Sequence, residues 1–104
     1  MSLPELDADG FLQDPQSWTP EIAKHLAALE HVTLTEAHWE ILHTLRAFYD
    51  SQQLAPAMRI FVKLIRQQLG EEKGNSAYLM HLFPGSPARR ACRIAGLPRP
   101  TNCL

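Results

Sequence analysis

The feature that most constrains this chain is its punctuation. Pro20 follows Thr19, Pro56 follows Ala55 and Pro87 follows Ser86, and after each proline apolar residues recur at three- and four-residue steps. Proline fits the first turn of a helix because the N–H it lacks would have no partner there and its fixed φ already suits the helix. Gly70, the pair Pro84-Gly85 and Gly96 supply the stops. No stretch of useful length alternates apolar with polar residues. These signals predict an all-α chain, a small orthogonal helical bundle of about five helices with no internal repeat.

The expected order is as follows. Residues 1–17 form an irregular lead-in that docks by Phe11 and Leu12. The first helix, capped by Thr19, carries Ile22, Leu26 and Leu29 and runs to about Glu30. Thr35 and Glu36 open a second, in which Trp39, Leu42, Leu45, Phe48 and Tyr49 form the inner stripe. Pro56 opens a third, with Met58, Phe61, Val62, Ile65 and Leu69 inward and Ile60 and Leu64 widening the stripe, so this helix is expected to be central. Asn75 or Ser76 caps a short fourth helix holding Tyr78, Leu79, Leu82 and Phe83. Ser86-Pro87 starts a fifth that carries Cys92 and stops near Gly96. Residues 97–104 contain Pro98 and Pro100, which forbid a helix and favour an extended, mobile C-terminal arm.

At 104 residues the chain suits a single domain spanning 1–104. It is 45% hydrophobic and 20% charged with a formal charge of -1, so neither disorder nor a polyanionic or polycationic habit is expected. No run approaches the roughly 20 apolar residues of a membrane span. Met1 to Asp14 holds four acids but no base and no apolar leader core, which predicts no membrane association and a cytoplasmic protein. In a reducing compartment two cysteines serve more often as reactive or metal-binding groups than as a permanent staple.

Cys103 is the penultimate residue, seven steps beyond Gly96, and a fully extended chain would carry it about 24 Å from that glycine. Charge is uneven: residues 85–104 hold Arg89, Arg90, Arg93 and Arg99 and no acid. Guanidinium groups favour the thiolate form of a nearby cysteine, so these arginines are expected to stabilise a Cys103 thiolate or to dock an acidic protein surface. Ten residues separate Cys92 from Cys103, and a returning tail can bring the two within disulfide distance. The residues alone leave two readings open: a catalytic thiol pair, or a buried helix cysteine and an incidental terminal one.

Other constellations point less far. His38 and His43 are five apart and face different ways, and with His25, His31 and His81 they form no HExxH pattern, nor is there a CxxC. No metal and no cofactor is expected. Gly70 and Gly74 flank acids, unlike a phosphate-cradling loop. The third helix offers only Arg59, Lys63 and Arg66 as bases, too apolar for a recognition helix, so direct nucleic-acid binding is not expected.

The segment GEEKGNSAYLMHLFPGSPARRACRIAGLPRPTNCL and the upstream TEAHWEILHTLRAFYDSQQLAPAMRIFVKLIRQQLG resemble the DsrC/TusE family of sulfur-carrier proteins. The resemblance is carried by Lys73-Gly74-Asn75-Ser76, Leu82-Phe83-Pro84, Ala95-Gly96-Leu97-Pro98 and the penultimate cysteine. It implies a protein that accepts sulfur as a persulfide on Cys103 and passes it to a partner in a sulfur relay or to sulfite reductase, itself a co-substrate. In the TusE branch the relay ends at 2-thiouridine in the tRNA wobble position. In the DsrC branch the tail enters dissimilatory sulfite reductase, and sulfur bridges two cysteines. TusE-type members generally lack the second cysteine, so Cys92 favours the DsrC-type, two-thiol mechanism, with Cys92 resolving what Cys103 accepts.

Overall fold

The computed structural model describes residues 4–100. It contains five helices, α1 (Pro20–Leu29), α2 (Glu36–Gln52), α3 (Met58–Leu69), α4 (Ser76–Leu82) and α5 (Pro87–Ile94), with one 3-10 turn at Pro15–Ser17 ahead of them. The small all-α bundle read from the sequence is the fold.

Its starts follow local chemistry. The Thr19 hydroxyl accepts the Ile22 N–H at 3.2 Å and Pro20 takes the first turn of α1. At α2 the cap is reciprocal: the Thr35 N–H donates to His38 Nδ1 at 3.1 Å, in the place a glutamate or glutamine usually fills. The other ring nitrogen, His38 Nε2, meets the Leu82 carbonyl at 2.8 Å. An Nδ1 that accepts and an Nε2 that donates define one tautomer, and that ring ties the start of α2 to the last turn of α4. His38 is therefore buried, at 6% exposure, and its ring meets Phe83 edge to face.

Two expectations shift. Pro56 does not open α3: it is fully buried and extended chain at Ala57 intervenes, so the helix begins at Met58. Nor is α3 the central helix, because Ile60 stands 46% exposed. The central helix is α5, which touches each of the other four. Its sequence, PARRACRI, looks polar, yet Ala88, Ala91, Cys92, Ile94 and the following Ala95 are buried. Small side chains let the neighbouring backbones close in from several sides, while the arginines lie at the seams.

Two motif glycines have steric causes. A Cβ on Gly74 would lie 2.3 Å from the Arg66 backbone. A Cβ on Gly96, where φ is +75°, would lie 2.3 Å from the Trp18 ring. Beside Gly74, Lys73 pairs with Glu40 at 2.8 Å, and that hydrogen bond holds the lysine above its usual range. The lead-in turns on Asp7, whose carboxylate accepts the Asp9 and Phe11 N–H groups at 2.9 and 3.0 Å, and a single antiparallel bridge joins Leu6 to Leu12. Phe11 and Leu12 are buried.

Candidate functional site

Cys92 lies on the inner face of α5 at 1% exposure, with its Sγ 3.9 Å from the Pro56 carbonyl oxygen, a weak hydrogen-bond contact. Pro56 precedes Ala57, and Ala57 lines a groove of about 520 Å³. The groove is formed by the beginnings of α3 and α5 and by α4: Met58, Met80, Pro87 and Ala88 give it apolar walls, with Arg89 at its edge. Ala88 and Cys92 are four residues apart, so they share one face of α5 a single turn from each other. Cys92 thus sits one turn behind the groove wall.

The segment leaving α5 returns toward this groove. The Leu97 N–H donates to the Cys92 carbonyl at 2.9 Å and the Leu97 side chain is fully buried. Arg99 forms an ion pair with Asp9, and Pro100 lines the groove. The expected arm, 97–104, is thereby described as far as Pro100. Cys103 lies outside the described residues.

The four arginines separate into different settings. Arg93 Nη1 meets both Glu30 carboxylate oxygens at 2.7 and 2.5 Å and lies over the Phe11 ring, 4.9 Å from its centroid. Arg90 donates to the Glu30 carbonyl at 3.3 Å. With Arg99 on Asp9, three of the set are engaged with the α1 end and the lead-in. Arg89 is exposed, stands 6.0 Å from the Phe11 centroid, and makes no ion pair among the described residues. Of the residues singled out by sequence, Arg89 lines the groove and Cys92 lies buried on the same helix, one turn behind the wall at Ala88.

Sequence reasoning missed Met58 and Met80 as groove walls. Met80 is 43% exposed and its Sδ accepts the Gly85 N–H at 3.3 Å. The signal was the crowding of three helix starts into the residues from Ala57 to Ala88, which only the packing turns into a concavity. Trp18 is a half-buried aromatic packed at the rim of the core, donating Nε1–H to the Ile94 carbonyl at 2.9 Å beneath the guanidinium of Arg46, which is 4.8 Å from the indole centroid. Arg46 in turn donates to the Ala95 carbonyl at 3.1 Å, and burial pushes its guanidinium below the usual range.

Among the described residues no group of three His, Cys, Asp or Glu side chains is placed to hold a metal ion, and no helix is long and apolar enough to cross a membrane.

Comparison with known proteins agrees along nearly the whole chain. The family model described as "DsrC like protein" matches residues 2–104. The chain is similar to the sulfurtransferase TusE homolog of Haemophilus influenzae, with 47% identity over 96% of this chain and 92% of that one. It is similar also to the sulfurtransferase TusE of Sodalis glossinidius, with 50% identity over 94% of this chain and 91% of that one. Among solved structures, the solution structure of Allochromatium vinosum DsrC superposes with a TM-score of 0.86 at 46% identity, covering 95% of this chain and 88% of that chain. The oxidised DsrC of Archaeoglobus fulgidus, a gamma-subunit of dissimilatory sulfite reductase, gives 0.82 at 42%, covering 97% of this chain and 92% of that chain.

Proposed function

Since the chain belongs to the DsrC/TusE family of sulfur-carrier proteins, we propose that Cys103 is its sulfur-bearing thiol and Cys92 the thiol that resolves it. The observation that carries this reading is the return of the chain to the groove at Pro100. Covalent geometry keeps the Cys103 Cα within about 11 Å of the Pro100 Cα. The wall of that groove, Ala88, is one helical turn from Cys92.

The chemistry is thiolate exchange. The Cys103 thiolate attacks the terminal sulfur of a donor persulfide; the new S–S bond forms on Cys103, the donor S–S bond breaks, and the donor leaves as its thiolate. For release, the Cys92 thiolate attacks the inner sulfur of the Cys103 persulfide, expelling hydrosulfide and leaving a Cys92–Cys103 disulfide that a dithiol reductant reopens. This step gives up the weak contact of Cys92 with the Pro56 carbonyl.

A two-cysteine carrier of this kind suits the DsrC branch, with a sulfite-reductase-type partner. A relay toward tRNA 2-thiolation is the second reading, favoured by the 47–50% identity to TusE proteins. Both readings make the protein a cytoplasmic co-substrate of larger enzymes, with Arg89 as the basic contribution to a docking face, since Arg90, Arg93 and Arg99 are engaged with Glu30 and Asp9.

The test is intact mass after incubation with a cysteine desulfurase and cysteine. Wild type and Cys92→Ala are expected to gain a sulfur atom, and Cys103→Ala to gain none. Equal labelling of both variants would sink the assignment of roles. Offering the loaded protein to a dissimilatory sulfite reductase and to a tRNA-thiolating enzyme then separates the branches by which acceptor removes the label.

A further inference from the structure

We propose that the groove between the starts of α3 and α5 is a docking site for a partner segment that presents apolar side chains beside a carboxylate. The proposal deepens the carrier reading and rests on it, since a carrier must be held while its thiol is served.

The walls set the apolar half of the ligand. Met58, Met80, Pro87 and Ala88 line a space of about 520 Å³, enough for a few side chains. Two flexible thioethers let such a wall fit more than one apolar shape, as a protein with separate donor and acceptor partners requires. Met80 stands 43% exposed at the groove, while Pro87 and Ala88 are buried in its wall and the chain's own Pro100 lines it as well.

Charge sets the other half. α3 contributes Arg59, Lys63 and Arg66, α5 contributes Arg89, Arg90 and Arg93, and neither helix has an Asp or Glu. Arg66 is turned to the Gly74 carbonyl at 3.2 Å, and Arg90 and Arg93 to Glu30. Arg89 lines the groove and is left without a carboxylate among the described residues. Neither α3 nor α5 has a side-chain cap hydrogen bond at its first turn, which adds positive potential of the same sign. A purely apolar partner would desolvate Arg89 without compensation, and a basic one would be repelled. An aspartate or glutamate next to an apolar anchor satisfies both halves.

The test uses the full chain, labelled with nitrogen-15, and three capped tetrapeptides: one of two leucines, a phenylalanine and an aspartate, and its asparagine and lysine counterparts. Amide shifts are expected at Met58, Met80, Ala88 and Arg89, with the aspartate peptide binding about tenfold more tightly than the lysine one. Arg89→Glu should reverse that order, and Met80→Lys should weaken binding of all three; both residues are exposed, and retained dispersion of the amide spectrum checks the fold. Shifts elsewhere, or no preference among the peptides, would overturn the proposal. So would binding that emerges only when residues 101–104 are removed, because the groove would then belong to the chain's own end. Loading by inorganic polysulfide, read as intact mass, is followed on the same samples. Loading without peptide binding overturns the docking site alone, and binding without loading overturns the carrier role.

Discussion

The two ends of α5 are built in opposite ways. At the C-terminal end the last carbonyls are closed off by side chains from distant elements: Trp18 donates to Ile94 and Arg46 to Ala95. Leu97 turns back onto Cys92, Gly96 admits the indole, and Arg93 is fixed by Glu30. At the N-terminal end Ser86 makes no capping bond, Gly85 donates only to a thioether, and Arg89 faces an open groove. Helix ends are where orphan backbone groups accumulate, so a difference of this size shows where stability has been concentrated and where contact with another molecule is left possible. The closed end fixes the helix that carries Cys92 and the point at which the chain departs for Pro100. The open end is the one a partner can meet.

The largest effect should come from breaking the closed end at Gly96. Gly96→Val adds a branched side chain at φ +75° and drives it into the Trp18 ring. The left-handed backbone costs about 1–2 kcal/mol and the overpacking about 1–3 kcal/mol, so a loss of about 3 kcal/mol is expected. Urea unfolding followed by Trp fluorescence measures it. A variant as stable as wild type would mean that the indole swings aside freely and that this end is not closed.

That contrast was only half legible in the sequence. Caps and prolines placed the helix starts to within a residue or two, α3 beginning at Met58 and not at Pro56, because those signals act close to where they stand. Asn75 was readable as a cap for this reason, and its Oδ1 accepts the Tyr78 N–H at 2.8 Å. The closed end was not readable, because each of its bonds spans a long stretch of chain: Trp18 with Ile94, Arg46 with Ala95, Glu30 with Arg93. Nothing in the spacing of Arg89, Arg90 and Arg93 distinguishes the guanidinium that meets Glu30 from the one that faces the groove. The apolar count misplaced the centre of the fold, since α5 is central through its small residues and α3 leaves Ile60 in solvent. Residues that carry the family resemblance, among them Gly74, Asn75, Leu82, Phe83 and Gly96, hold the body together through contacts that periodicity does not report.

The next effect in size concerns the Glu30–Arg93 pair, whose side chains are 11% and 19% exposed. Glu30→Gln leaves a mostly buried guanidinium without its anion and should cost about 2–3 kcal/mol. Combining it with Arg93→Met, which replaces the orphaned charge by an apolar chain over Phe11, should recover much of that loss. A double-mutant cycle by thermal unfolding reads the coupling. Additive losses would show that Glu30 and Arg93 act separately and that the closed end rests on Trp18 and Gly96 alone.

The smallest effect tests the open end itself. As sequence, Asn75 and Ser86 look like equivalent N-caps. In the structure the Asn75 side chain accepts the Tyr78 N–H and donates to the Glu71 and Glu72 carbonyls, whereas the Ser86 hydroxyl makes no capping bond. Asn75→Ala should therefore cost about 1 kcal/mol. Ser86→Ala should change stability by less than about 0.5 kcal/mol, the range of a surface substitution that removes no partner. Equal costs for the two would mean that Ser86 closes the start of α5 in solution, and that both ends of this helix are sealed.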